Sequence, residues 1–161
     1  MIKVYNDPTL LDFLVVCNQM PQDERDQLSA FTGEPYSVDG AAVGNFTVPG
    51  HKWVIKADDE PIVIGGFAPL RPGVWRDFML TTPQAWEQHW FPVTRICRRI
   101  MNAMFISGAA HRIECIVPVG RVGARQCLAK WYKVIGYNYE GLHHGYCANG
   151  ADAMSYARVK H

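Results

Sequence analysis

Between Lys52 and Thr81 three apolar runs alternate with two turn segments, and no other stretch of the chain narrows its possible folds so far. Lys52 to Ala57 leads into Asp58-Asp59-Glu60-Pro61, Ile62 to Ala68 into Pro69-Leu70-Arg71-Pro72-Gly73, and Val74 to Thr81 closes the set. Runs of this length, bounded by proline, glycine and aspartate, predict an antiparallel meander of three strands.

Helical spacing takes over on either side. After a short apolar stretch at Ile2 to Tyr5, Asp7 and Pro8 supply a cap and a first helical position, and Leu10, Leu11, Leu14 and Cys17 form an apolar face. A more polar helix is expected from Pro21 to Gly33, with Asp23, Glu24 and Asp26 at its positive end and a glycine able to take the left-handed cap. From Glu34 to Gly50, Gly40, Gly44, Pro35 and Pro49 interrupt any period, which predicts a loop or irregular strand. Beyond the meander, Thr82-Pro83 starts a short helix. A longer one follows from about Phe91, with Val93, Ile96, Cys97, Ile100, Met101 and Met104 on one side and Arg95, Arg98, Arg99 and Asn102 on the other, ending at Gly108. His111 to Val119 alternates as a strand, and a break is expected around Gly120 and Gly123. Ala124, Cys127, Leu128, Trp131, Tyr132 and Ile135 then recur at clean helical spacing before Gly136. Two last strands, Tyr137 to Tyr146 and Ala153 to Val159, flank Asn149-Gly150 as a terminal hairpin.

Composition limits what such a chain does. Its 161 residues suit one domain, 1–161. Sixteen basic against fifteen acidic residues give a formal charge of +1, which provides no global field for a nucleic acid. Five cysteines, an odd number without a C-x-x-C pair, predict reduced thiols and a cytoplasmic setting. No apolar run approaches the ~20 residues of a membrane span, and the N-terminus has no signal pattern, so no membrane partner is expected. Five Trp, seven Tyr and seven Phe in a chain with few charges point to aromatic surface covered by a partner, in a homo-oligomer or a larger assembly.

The order of elements, and above all Trp131-Tyr132-Lys133-Val134-Ile135-Gly136-Tyr137-Asn138-Tyr139-Glu140-Gly141, resembles the GNAT superfamily of acyl-CoA N-acyltransferases, whose recurrent segment is L-Y-E-K-L-G-F-x-x-E-G. Gly150 to Arg158 is similar to that family's last strand. Asp59-Glu60-Pro61-Ile62-Val63-Ile64-Gly65-Gly66-Phe67, followed by Trp75 to Thr82, resembles diverged GNAT-like proteins of tailed phages and prophages, internal virion proteins among them. The resemblance implies an α/β (α+β) fold: a mixed, mostly antiparallel sheet of six to seven strands flanked by about four helices. It also implies transfer of an acetyl or acyl group from acetyl-CoA to a small-molecule or peptide amine. The alternative is a non-catalytic phage assembly protein that uses Trp86, Trp90 and the Glu34 to Gly50 loop for contacts.

Acyl transfer from a thioester to an amine needs an unprotonated amine, a stabilised oxyanion and a proton for the departing thiolate. In the family two central strands splay apart and leave backbone groups for pantetheine; by resemblance these belong to Met79, Leu80 and Thr81. Tyr132 matches the family tyrosine that protonates the thiolate, and it equally fits the apolar stripe of its helix as a core aromatic. Asp77 is the one carboxylate on the fourth strand, either a base acting through water or an ion-paired surface charge, with Glu114 as the alternative. Arg125 stands where the family often carries a CoA-side asparagine. The chain departs from the family at the pyrophosphate loop, usually Q/R-x-x-G-x-G/A: Thr82 to Thr94 contains no glycine, and Pro92 removes a donor. Arg95, Arg98 and Arg99 either replace that attraction or form a solvated helix face. No metal site is expected, because the adjacent His143 and His144 point to opposite faces of a strand and Cys147 does not complete a ligand set. Cys97, Cys115 and Cys127 fall on apolar faces as core side chains.

Overall fold

The computed structural model describes residues 1–124 and 127–160. Seven strands make one sheet in the order β1-β2-β3-β4-β5-β7-β6, where β1 is Ile2–Tyr5, β2 His51–Ala57, β3 Glu60–Arg71, β4 Val74–Thr81, β5 Arg112–Pro118, β6 Asn138–His143 and β7 Ala153–Val159. Every neighbouring pair is antiparallel except β4 and β5. That parallel pair requires a crossover, supplied by α4 (Pro83–Glu87) and α5 (Trp90–Ile106). The remaining helices are α1 (Leu10–Gln19), α2 (Gln22–Thr32), α3 (Val38–Thr47), α6 (Val119–Ala124) and α7 (Leu128–Ile135). None of the described helices is long and apolar enough to cross a membrane.

The meander lies where its turns place it, and alternation along it divides the core between two faces. Val54, Ile64 and Leu80 pack against Phe13, Val16 and Cys17 of α1. Trp53, Ile55 and Val63 face the other way, onto Val93 and Cys97 of α5. Further along that second face Ile113, Cys115 and Val117 of β5 meet Leu128, Tyr132 and Ile135 of α7. Gly65 and Gly66, adjacent on β3, are each covered by an aromatic ring. A Cβ at Gly65 would lie 2.1 Å from the Trp53 ring, and one at Gly66 would lie 2.6 Å from the Phe78 ring.

Against about four helices expected, the described residues contain seven helical segments. The 34–50 stretch holds α3 rather than a loop. Two internal glycines disfavour a helix by roughly 1 kcal/mol each, but Ser37 caps it by accepting from the Gly40 amide, and Ala42 packs into the α1 core. The break at Gly120 holds α6, and α7 begins at Leu128, not Ala124. Cys127 consequently flanks α7 and is exposed, in contrast to the buried side chain its spacing implied. At α1 the cap is Thr9 rather than Asp7. Thr9 and Asp12 form a reciprocal box in which Asp12 Oδ2 accepts from the Thr9 amide at 2.8 Å. Gly33 and Gly136 end α2 and α7 in the left-handed conformation, as their positions predict.

Candidate active site

The parallel pairing of β4 and β5 lasts three residues: Val74 with Arg112, Trp75 with Ile113 and Arg76 with Glu114. Beyond that point Asp77–Thr81 remains bonded to β3 and Cys115–Pro118 to β7, but not to each other. The sheet therefore opens as a wedge at its centre. On the α5/α7 side a cavity of about 60 Å³ is lined by Asp77, Met79, Cys115, Trp131 and Tyr132. On the α2/α3 side a second, of about 230 Å³, is lined by Phe31, Asn45, Arg76, Phe78 and Tyr146. Gln27, Asp77, Phe78, Met79 and Ile116 border both, so the two meet at the wedge.

Asp77 is not an exposed surface charge, and it forms no salt bridge among the described residues. The Tyr137 hydroxyl donates to its Oδ2 at 2.5 Å, and its Oδ1 has no hydrogen-bond partner among the described residues. Some carboxylate surface meets the cavity, yet protein surrounds it, and enclosure governs ionisation here. Burial raises its pKa to about 7, against the smaller opposing pull of the Tyr137 hydrogen bond and the Arg76 charge. Such a carboxyl exchanges a proton near neutrality.

Tyr132 borders the same cavity and is 7% exposed. Its ring packs against Tyr156 with centroids 4.8 Å apart and edge-on to Tyr137 at 6.0 Å. Burial pushes the phenol well above its ordinary pKa, so it stays protonated and keeps a hydrogen to donate. Tyr132 is thus packed as a core aromatic and also borders the wedge. Burial likewise raises the Cys97 thiol to about 12 and Cys115 well above its usual value.

Met79, Leu80 and Thr81 occupy the wedge side of β4 in different ways. Leu80 is buried against α1, while Met79 borders the cavities. The Thr81 amide already donates to Glu24 Oε2 of α2 at 2.9 Å. Its hydroxyl donates to Glu24 Oε1 and accepts from Trp86 Nε1 at 2.7 Å. Arg121 of α6 bonds Glu24 Oε1 at 3.2 Å, Gln27 Oε1, and Asp23 Oδ2 at 3.5 Å. The outer end of the wedge is thus closed by a buried polar cluster from α2, β4, α4 and α6, and helix α4 follows Thr82 directly. Arg95, Arg98 and Arg99 are solvent-exposed on α5, which agrees with a solvated face. Arg125 lies outside the described residues.

Glu114, the alternative base, binds Arg76 at 2.8 Å and Arg112 at 2.9 Å. Burial alone would raise its pKa, but these hydrogen bonds prevail and hold it below the usual carboxylate range. That makes it a poorer proton acceptor than Asp77. His143 bonds Ser155 Oγ and His144 bonds Asp152 Oδ2, each serving its own partner, and no three potential ligands cluster among the described residues.

No protein-family model matches the sequence, and no curated protein matches it. Solved structures do. A GNAT-family acetyltransferase from Streptococcus pneumoniae superposes with a TM-score of 0.67 at 11% identity, covering 100% of both chains. The chain has the GNAT fold. A ribosomal L7/L12 α-N-protein acetyltransferase in complex with coenzyme A superposes at TM-score 0.71 and 12% identity, over 98% of this chain and 93% of that one. A spermidine N-acetyltransferase mutant from Vibrio cholerae does so at 0.68 and 15%, over 98% and 93%. At these identities the GNAT fold is what is shared. The residues that sequence reasoning passed over are Tyr137, Glu24, Gln27, Arg121 and the partnering of Arg76. Only Tyr137 gave a signal, since a tyrosine entering a core strand needs a partner for its hydroxyl.

Proposed function

We propose that the chain is an acyl-CoA-dependent N-acyltransferase that moves an acetyl or acyl group from acetyl-CoA to a small amine. The observation that carries this reading is the end of β4–β5 pairing at Arg76 and Glu114, with Asp77 and Tyr132 bordering the space beyond it. The cavity of about 60 Å³ beside Asp77 and Tyr132 marks where the thioester end of the CoA tail would sit. The edge of β4 around Met79 and Leu80 would hold that tail, with Thr81 marking how far it extends before the Glu24 cluster; Arg125 is proposed on the CoA side by resemblance.

The thioester supplies an activated acyl carbon, whose bond to sulfur breaks as the bond to nitrogen forms. Asp77 takes up the proton released from the attacking amine, directly or through one water, and its pKa of about 7 lets it do so at neutral pH. Tyr137 holds Asp77 in place through Oδ2 and leaves Oδ1 for the proton. Tyr132, protonated in the resting site, gives its proton to the sulfur as the carbon–sulfur bond breaks; the cycle closes when Asp77 releases the proton taken from the amine and the Tyr132 oxygen takes one up. Enclosure by Trp131, Cys115 and Leu128 limits water at this point and strengthens each of these interactions.

The phage or prophage origin and a place in the host cytoplasm or the virion rest on the resemblance of the Asp59 to Phe67 and Trp75 to Thr82 segments. A non-catalytic assembly role is the weaker reading, because it gives no reason to enclose a carboxyl that titrates near neutrality. An edge-on pair of exposed rings, Trp90 and Phe91 with centroids 5.9 Å apart, is where an oligomer or assembly partner would bind.

Titration with acetyl-CoA and with CoA tests the main reading. Each should raise Tm progressively with concentration, and the absence of any shift at high ligand would remove it. Given binding, Tyr132→Phe is expected to lower kcat by about 10²-fold or more with little change in CoA affinity.

A further inference from the structure

Charge in this chain is sorted by layer. Residues 6–50, which carry α1, α2 and α3, hold seven carboxylates and one cation, Arg25. Residues 88–136, which carry α5, α6 and α7, hold eight arginines and lysines and one carboxylate, Glu114. The overall charge of +1 hides this division. Much of it reaches the surface. Val93, Cys97, Met101 and Met104 turn one side of α5 to the sheet, which leaves Arg95, Arg98 and Arg99 outside, beside the exposed Lys130 and Lys133 of α7. None of these five cations has an ion pair among the described residues. On the opposite layer Asp7, Asp26, Glu34 and Asp39 are exposed and equally unpaired among the described residues. Both layers also keep apolar side chains in solvent: Trp90, Phe91, Ile106 and Val134 on the cationic one, Leu10, Leu11, Val43 and Phe46 on the anionic one.

Within one molecule the two layers do not neutralise each other. A helix of about 10 Å on each side of the sheet puts their outer faces more than about 20 Å apart, and physiological salt screens exposed charges beyond about 8 Å. A second copy can bring the layers together. Two-fold pairing through either layer alone would set like charges against one another. Stacking the cationic layer of one copy on the anionic layer of the next opposes unlike charges and takes apolar side chains out of water on both sides. We infer that the protein self-associates front to back, with α5 and α7 of one copy seated on α1, α2 and α3 of another. Each end of such a stack keeps one unused layer, so assembly continues past two copies unless it closes into a ring. The contact is independent of acyl transfer.

Sedimentation velocity on the full chain tests it. Weight-average mass should rise with protein concentration at about 0.01 M salt and return to that of one chain at about 1 M, as the screening length falls from about 30 Å to about 3 Å. Two variants, altered only at exposed positions, fix the mode: R95Q/R98Q/R99Q strips the cationic layer and D26N/E34Q/D39N the anionic one. Each alone should self-associate at least about tenfold more weakly than the unaltered chain. Their equimolar mixture should recover association yet stop at two copies, because a single complementary pair of layers remains. A chain that stays single at every concentration in low salt, or associates equally well in high salt, would overturn the inference. So would loss of association in only one variant, the mark of a two-fold contact, or a mixture that stays monomeric. Fluorescence anisotropy with a labelled single-stranded oligonucleotide covers the remaining case: binding that needs the three arginines, by a chain that stays single in low salt, would assign the cationic layer to a nucleic acid and overturn the inference as well.

Discussion

Asp77 shows how a single side chain can be named from sequence and its chemistry still missed. Its place on the fourth strand is legible, because alternation puts it on one face with Trp75 and Met79. Its environment is not, since the hydroxyl that holds it belongs to Tyr137, sixty residues later. The enclosure has a consequence for folding. An unfolded Asp titrates near 3.8, whereas in the folded chain the value is about 7. Between these values the native state keeps a proton that the unfolded state has lost, so stability declines as pH rises through that window. Asp12, Glu114 and Glu140 have lowered values and produce the opposite slope, but only in more acidic solution. From about pH 5 to about pH 8, Tm should therefore fall in the wild type and run nearly flat in Asp77→Asn. In the same variant the rise of kcat/KM through neutrality should disappear. A retained Tm slope would mean that another group holds the proton.

At the scale of elements, the meander, the α7 stripe and both glycine caps were readable because each is written in local spacing. Helix α3 was not, because its glycines lower local propensity and only the Ser37 cap and packing onto α1 compensate. The cluster at the end of the wedge was invisible for another reason: Glu24 and Arg121 are 97 residues apart, and no periodicity relates them. The Gly65-Gly66 pair is legible as part of the Asp59 to Phe67 segment, and the two rings laid over it are the reason for it. Gly65→Ala would place a methyl group 2.1 Å from the Trp53 ring. Overpacking of this kind costs about 1–3 kcal/mol. Chemical denaturation should detect the loss as a lower midpoint with an unchanged slope. Alanine at Gly44 meets nothing within 4 Å, so it should be neutral or slightly stabilising in the same experiment.

Over the whole molecule, one sheet carries a cavity on each side, and the two join only where β4 and β5 part. A nucleophilic thiol could in principle hold the acyl group between two half-reactions. Cys97 and Cys115, the buried cysteines closest to this centre in chain and space, are kept protonated by burial, and that chemistry needs a thiolate. On the proposed reading neither of these two thiols carries the acyl group, and transfer is direct, with both reactants present together. Initial-rate lines at several fixed acetyl-CoA concentrations should intersect, and parallel lines would point to a covalent acyl-enzyme instead. Because donor and acceptor would approach from opposite sides, neither bars the way of the other, and a dead-end analogue of one should leave the doorway of its counterpart open.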